Sequence, residues 1–247
     1  MGGLGRAVTK CFRQQSWHVI GCDMQIPPDT VNAAIEMKNS ESLSMQGRHA
    51  VKAIEDSLKS IQAKQVDAVI CVAGGFAMGP PGDENFLEEG ERMVTSSVMS
   101  SLLAAHIAAR FLKPKGLFVL PGAAIAESGP TPLMGSYGSS KAFVHHLGKS
   151  LGAEGSGMPP ESKTIILAPT TIDTEGNRNA MPDADTSTWT SPDEIADVLF
   201  NWSCSADLMR TAPTPDAPLE TGSVVQPITK NGETEWAQAG HFFTKGV

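Results

Sequence analysis

The feature that most constrains the fold is a nearly continuous apolar run at residues 66–72, which ends in Ala73-Gly74-Gly75. A strand that is apolar at almost every position has no face suited to water, so other elements have to cover it on both sides. Inner strands of parallel sheets are of this kind. The run therefore predicts a buried strand of a parallel sheet, closed by a glycine turn.

Strand and helix patterns alternate along the rest of the chain. Strands are predicted at 17–22, 117–120, 164–168 and 222–228, with a possible strand at 33–37, and helices at 6–15, 49–64, 91–112, 137–151 and 191–202. Regular alternation of this kind specifies an α/β fold, a doubly wound parallel sheet with helices on both faces. The 247 residues suit a single large core, so we expect one domain over 1–247. The proline-rich segment 212–218 is predicted to be an exposed loop before the last strand.

The composition excludes several classes of function. A net charge of −8 argues against a nucleic-acid partner, because phosphate backbones require a basic surface. The chain has neither a bilayer-length apolar run nor the apolar core of a signal peptide, so we expect a cytoplasmic protein without a membrane partner. The four cysteines lack C-x-x-C spacing and are predicted to be reduced thiols. The histidines, including His106, His145 and His146, have no metal-type pairing, so no metal site is expected.

Two features near the amino terminus suggest a dinucleotide site. Gly2-Gly3-Leu4-Gly5 opens a predicted helix, whose unpaired N–H groups favour a pyrophosphate. Asp23 follows Gly5 by 18 residues at the end of the next strand, where a carboxylate can bind an adenine-ribose diol and repel a 2′-phosphate. A chance glycine doublet and a solvated turn aspartate would give the same pattern, so both alternatives stay open here.

Tyr137 and Lys141 are the candidate catalytic pair. Their spacing of four residues on a predicted helix places both side chains on one face. A nearby ammonium favours the phenolate and would lower the tyrosine pKa from about 10, making the phenol a proton donor near neutral pH. This spacing also arises by chance, although Tyr137 is the only tyrosine in the chain.

Taken together, the order and spacing of these motifs resemble the short-chain dehydrogenase/reductase family. Longer sequence motifs resemble those of a branch of that family that reduces quinonoid dihydropterins. These motifs are Cys71-Val-Ala-Gly-Gly75, Tyr137-Gly-x-x-Lys-Ala142, Ser156-Gly-Met-Pro-Pro160 and Met181-Pro-x-Ala-Asp185. The resemblance extends over residues 2–232.

The resemblance implies a role for each candidate residue. Tyr137 would be the proton donor, with Lys141 as its partner and as a ligand of the nicotinamide ribose. The other implied cofactor contacts are Gly2 and Gly5 at the pyrophosphate, Asp23 at the adenine ribose, Ala73, Gly74 and Gly75 along the dinucleotide, and Pro169 and Thr171 at the nicotinamide. Phe76 would offer an aromatic face to a flat pterin. The implied reaction is reduction of quinonoid 6,7-dihydropteridine to the 5,6,7,8-tetrahydro form by NADH, with NADPH possible.

The helix predicted at 91–112 carries two apolar stripes, and a sheet can cover only one of them. The family pairs this helix and the tyrosine-bearing helix with their copies, so the resemblance implies a homodimer.

The chain departs from the family pattern at two places. Most members have a serine 13 residues before the tyrosine to polarise a carbonyl, and this chain has Ala124. A quinonoid dihydropterin is already electron-poor and needs less such help, so Ala124 points away from ketone substrates. The alternatives are another short-chain carbonyl reductase and a non-enzymatic dinucleotide-binding protein.

The second departure is that the family has a strand before the glycine turn, where this sequence begins. We expect a start site assigned too far downstream; a truncated isoform and a fold repacked around the gap are the alternatives. In a doubly wound sheet this strand is central, so the sequence as written is expected to bind cofactor weakly and to gain stability if extended upstream.

Overall fold

The computed structural model describes residues 1–38, 40–204 and 219–239. The loop predicted at 212–218 lies outside the described residues. The helices are α1 (Gly3–Gln14), α2 (Leu43–Ser60), α3 (Phe86–Met93), α4 (Ser100–Phe111), α5 (Gly135–Gly152), α6 (Glu175–Ala180) and α7 (Pro192–Cys204). The strands are β1 (Ile20–Asp23), β2 (Ala33–Glu36), β3 (Val66–Ile70), β4 (Leu112–Pro121), β5 (Lys163–Leu167), β6 (Ser223–Lys230) and β7 (Glu233–Ala239). This order confirms the predicted α/β alternation, including the strand marked as possible at 33–37.

The described strands form two sheets. One has the order β3-β4-β5-β6-β7, with β3 to β6 parallel, and the other is the parallel pair β1-β2. Among the described residues β1 is not hydrogen-bonded to β3, so the direct pairing of these two strands that a repacked fold would require does not occur.

The antiparallel strand β7 was not predicted, because the alternation of strands and helices suggests only parallel neighbours. It pairs with β6 across a tight turn at Asn231-Gly232. Both turn residues have positive φ, 53° and 81°. Asn-Gly is a strong hairpin signal because both residues tolerate this left-handed conformation. The information for β7 is therefore present in the sequence.

Helices cover both faces of the five-stranded sheet. Along β4, Leu117 and Val119 belong to one core cluster, and Phe118 and Leu120 belong to the opposite one, as the period of two requires. The helices α1 and α7 supply the first cluster, and α4 and α5 supply the second. The strand predicted to be buried on both faces, β3, is only partly buried, and it is an edge strand of this sheet. The inner strands β4 and β5 are instead the ones that are buried on both faces.

The helix predicted at 91–112 is interrupted. A π-helical turn at Val94–Met99 separates α3 from α4, and Leu112 already belongs to β4. π-helical turns occur frequently at functional sites because they redirect side chains within a helix. Here the turn carries Ser97, which is fully buried and faces Gly74; a Cβ atom at Gly74 would lie 3.9 Å from Ser97 Oγ.

Candidate active site

The predicted site residues lie where the parallel strands end. Asp23 ends β1, the glycine turn 73–75 follows β3, Ala124 follows β4, and Pro169 and Thr171 follow β5. The carboxyl ends of parallel strands lie at one edge of a sheet, and ligands of doubly wound folds bind there.

The glycine turn at the start of α1 lies between the segments that follow β3 and β5. A Cβ atom at Gly5 would lie 3.7 Å from Val72 Cγ2, and one at Gly3 would lie 2.8 Å from Thr174 Cγ2. Gly2 is the extended N-cap residue, with no neighbouring atom within 4 Å of a Cβ position. The first turn of α1 has no acidic side chain and no side-chain cap, so its N–H groups can bind an anion such as a pyrophosphate.

Asp23 lies beside this turn. Its carboxylate is 3.5 Å from the Met1 ammonium and accepts a hydrogen bond from the backbone N–H of Gln25 at 3.2 Å. About a third of the side chain is exposed, at 33%. The structure therefore places an accessible carboxylate at the end of β1, next to the glycine turn that opens α1.

Tyr137 and Lys141 occupy successive turns of α5 and face the ends of β3 and β4. The Phe76 ring packs edge-on against Tyr137, with ring centroids 5.0 Å apart. Lys141 Nζ lies 5.8 Å from the centroid of the Tyr137 ring and donates a hydrogen bond to the carbonyl of Pro121 at 2.8 Å. A Cβ atom at Gly74 would be only 3.0 Å from Lys141 Nζ, so a glycine there leaves room for the ammonium.

Burial determines the electrostatics of this pair. Lys141 is 5% exposed, and desolvation lowers its pKa from 10.5 to about 8, an effect that Cys71 opposes. Burial raises the pKa of Tyr137. The spacing predicts the opposite direction for the phenol, and that expectation is wrong for this structure: desolvation acts on the phenol, while the ammonium is hydrogen-bonded to the Pro121 carbonyl. A lysine with a pKa near 8 can exchange a proton close to neutral pH.

Backbone hydrogen bonds fix the segments that follow β4 and β5. The backbone N–H of Ala124 donates to the carbonyl of Pro169 at 3.1 Å, and the carbonyl of Thr171 accepts from the N–H of Thr190 at 2.9 Å. Ala124 brings no hydroxyl group to the site. Phe76 is half exposed, at 50%, so an aromatic surface beside Tyr137 is open to a ligand.

The sequence did not identify His145 and Glu127 as part of this region. His145 is 3% exposed, its Nε2 accepts from the N–H of Ala123 at 3.1 Å, and its Nδ1 is 2.6 Å from Glu127 Oε1. The available signal was its position, since it continues the spacing of Tyr137 and Lys141 by four more residues.

Neither a metal-binding cluster nor a bilayer-spanning helix occurs in residues 1–38, 40–204 and 219–239. No cluster of three or more histidine, cysteine or acidic side chains is arranged to hold a metal ion. No helix in this part of the chain combines the length and apolar character needed to cross a bilayer. All four cysteines are free thiols.

Comparison with known proteins identifies the class. The short chain dehydrogenase family matches residues 1–185, and the chain belongs to this short-chain dehydrogenase/reductase family. It is therefore an oxidoreductase, and the family's cofactor is NAD or NADP. Among its relatives is the dihydropteridine reductase of Dictyostelium discoideum, which is 34% identical over 235 residues, covering 95% of this chain and 94% of that protein.

Solved structures share the fold. A short-chain dehydrogenase/reductase from Serratia marcescens superposes with a TM-score of 0.70 at 20% identity, covering 94% of this chain and 93% of that one. A short-chain dehydrogenase from Burkholderia cenocepacia in complex with NADP gives 0.69 at 18% identity, with the same coverage.

Proposed function

We propose that this protein reduces quinonoid 6,7-dihydropteridine to the 5,6,7,8-tetrahydropteridine with NADH. The observation that carries the proposal is the 34% identity to a dihydropteridine reductase along 95% of the chain. Residues 1–247 would form one reductase domain, which agrees with the extent of this match. We place the protein in the cytoplasm, a compartment in which free thiols like its cysteines persist.

The side chain of Ala124 supports a pterin rather than a ketone as substrate. Reduction of a ketone places negative charge on an oxygen, and a hydroxyl that donates to this oxygen stabilises the transition state. The side chain of Ala124, which follows β4, has no hydroxyl that could donate to such an oxygen. A quinonoid dihydropterin regains a stable ring on accepting hydride and needs less of this stabilisation.

Phe76 and Tyr137 would bind the pterin. Their edge-on contact leaves half of Phe76 exposed, so a flat heteroaromatic ring can stack on it beside the phenol. In this arrangement the phenol of Tyr137 gives a proton to the substrate, and Lys141 stabilises the phenolate that remains.

The cofactor residues fit a dinucleotide. The N–H groups around Gly2 and Gly5 would hold the pyrophosphate, and Asp23 the adenine ribose, which favours NADH over NADPH because a 2′-phosphate would face a carboxylate. NADH supplies the hydride. The remaining cofactor contacts would come from Ala73, Gly74, Gly75, Lys141, Pro169 and Thr171.

We also propose a homodimer. Val94 is 49% exposed and Leu102 is 36% exposed along the helical segment 94–111, and Phe143 of α5 is 37% exposed. A two-fold contact through these helices would cover such side chains.

The test of the proposed function is turnover of a quinonoid dihydropterin with NADH by the wild type and by Tyr137→Phe. We expect a loss of roughly 10²-fold or more in kcat, which is typical for removal of a general acid, with NADH binding unchanged. NADH fluorescence titration checks the binding. Near-full turnover by Tyr137→Phe would show that the assigned proton donor is wrong. Faster reduction of a ketone panel than of the dihydropterin would favour a carbonyl reductase instead.

A further inference from the structure

Three side chains on one face of α5, those of Lys141, His145 and Lys149, contact the same short segment of the chain. Tyr137, Lys141, His145 and Lys149 are spaced by four residues, so they line one side of the helix. Lys141 binds the carbonyl of Pro121 at 2.8 Å, and Lys149 lies 3.2 Å from the carboxylate of Glu127. The segment 121–127, which begins at the last residue of β4, is thus held by the same helix that carries the proposed catalytic pair.

The hydrogen bonds of His145 fix its protonation state. The N–H of Ala123 can only donate, so Nε2 of His145 must be the acceptor and carries no proton. The proton of the neutral ring is then on Nδ1, which donates to Glu127 at 2.6 Å. A second proton on Nε2 would point at the Ala123 N–H and abolish this hydrogen bond.

The charges around the ring agree with this assignment. Desolvation lowers the pKa of His145, against the opposing effect of Glu127, and Lys149 and Lys141 lower it further. Burial acts against ionisation of Glu127, but the hydrogen bonds from His145 and Lys149 lower its pKa. The pair therefore consists of a neutral imidazole and a carboxylate, with both lysines as the charged neighbours.

The His145 imidazole packs directly on the backbone of Gly122, which lies between Pro121 and Ala123. A Cβ atom at Gly122 would lie 2.5 Å from His145 Nε2 and 2.6 Å from Ile166 Cγ2. The segment has no free space on this side, so its position depends on where the ring lies. Lys141 donates to the carbonyl of Pro121, and His145 accepts from the N–H of Ala123. These two residues of the segment are two positions apart in the chain.

We propose that neutral His145 is a positioning residue, which holds segment 121–124 so that the Pro121 carbonyl stays in place for the Lys141 ammonium. The proposal deepens the proposed function, since it assumes that Lys141 serves the cofactor and Tyr137. Protonation of His145 then releases the segment, and both NADH affinity and turnover decrease on the acid side.

The test compares three variants across pH. His145→Gln keeps an acceptor near the Nε2 position but cannot be protonated at neutral or mildly acidic pH, so we expect it to retain more kcat/KM at neutral pH than His145→Phe and to show a flattened acid limb of NADH affinity and kcat/KM. His145→Phe keeps a ring and removes the acceptor, and we expect kcat/KM to fall roughly 10- to 100-fold, as displaced catalytic groups do. His146→Gln is the matched control, because His146 is the exposed neighbour on the same helix and should change nothing.

Two readouts separate this proposal from the proposed function. Nitrogen-15 NMR of the imidazole should show a neutral ring protonated on Nδ1 at pH 7, and NADH affinity is measured by fluorescence without any substrate. Protonation on Nε2, or an acid limb in His145→Gln identical to the wild type, would overturn the proposal even if dihydropterin is the substrate. If His145→Phe fails to fold, the pH profile of His145→Gln and the NMR tautomer still decide.

Discussion

Replacing Lys141 with methionine should make the protein more stable and less functional at the same time. The side chain is 5% exposed, and burial lowers the lysine pKa to about 8. A lowered lysine pKa means that the charged form is costly in the folded state. Methionine fills a similar volume without a charge, so the variant avoids this cost but loses the ammonium that we propose serves the nicotinamide ribose and Tyr137.

The magnitude follows from the pKa difference between the folded and unfolded chains. A difference between 10.5 and about 8 is equivalent to ~3.5 kcal/mol against the ammonium, at ~1.4 kcal/mol per pH unit. Loss of the hydrogen bond to the Pro121 carbonyl costs about 1–2 kcal/mol, so we expect a net gain of about 1.5–2.5 kcal/mol at pH 7. The penalty is fully present below the folded pKa and disappears as pH rises through 8 to 10.5, because the folded lysine loses its proton first.

Urea unfolding followed by tryptophan fluorescence, without NADH, measures this effect. We expect wild type to gain about 2 kcal/mol relative to Lys141→Met between pH 7 and about pH 9.5. NADH titration at pH 7 should show weaker binding by the variant. Lys149→Met is the control on the same helix face, since its side chain is 53% exposed and its replacement removes a lysine without relieving a burial cost. A constant difference between wild type and Lys141→Met at both pH values would refute the assignment of a destabilising buried ammonium.

Further predictions concern the cofactor, the packing and the assembly. Asp23→Ser should raise the NADPH-to-NADH ratio of kcat/KM roughly tenfold by removing charge repulsion, and a wild-type preference for NADPH would contradict the role of Asp23. Gly152→Ala should cost at least about 2 kcal/mol in urea unfolding, because its Cβ would overlap the backbone of Gly222. Gly90→Ala, a helical position with no atom within 4 Å of the new Cβ, should instead add about 0.5–1 kcal/mol. Light scattering should give a dimer mass that Leu102→Asp shifts towards the monomer, and a monomeric wild type at micromolar concentration would exclude the proposed interface.

The sequence alone predicted the features that depend on residues close together in the chain. The alternation of apolar strands and helices and the spacing of Tyr137 and Lys141 follow from local periods of two and 3.6 residues. The glycine turn that opens α1 follows from a run of neighbouring glycines. The Asn231-Gly232 hairpin is equally local, since two adjacent residues carry its signal. For these elements the backbone conformation is decided within one turn or one strand.

Features that depend on packing between distant segments could not be predicted in this way. An apolar pattern shows that β3 must be covered, but whether it has a neighbour on each side depends on the arrangement of the whole sheet. The direction of the Tyr137 pKa depends on burial, which no spacing reveals. The hydrogen bonds of Lys141 and His145 to Pro121 and Ala123 join residues 20 and 22 positions apart in the chain. The sequence determined which side chains share a face of α5, and the tertiary structure determined what that face binds, because only folding brings the end of β4 against it.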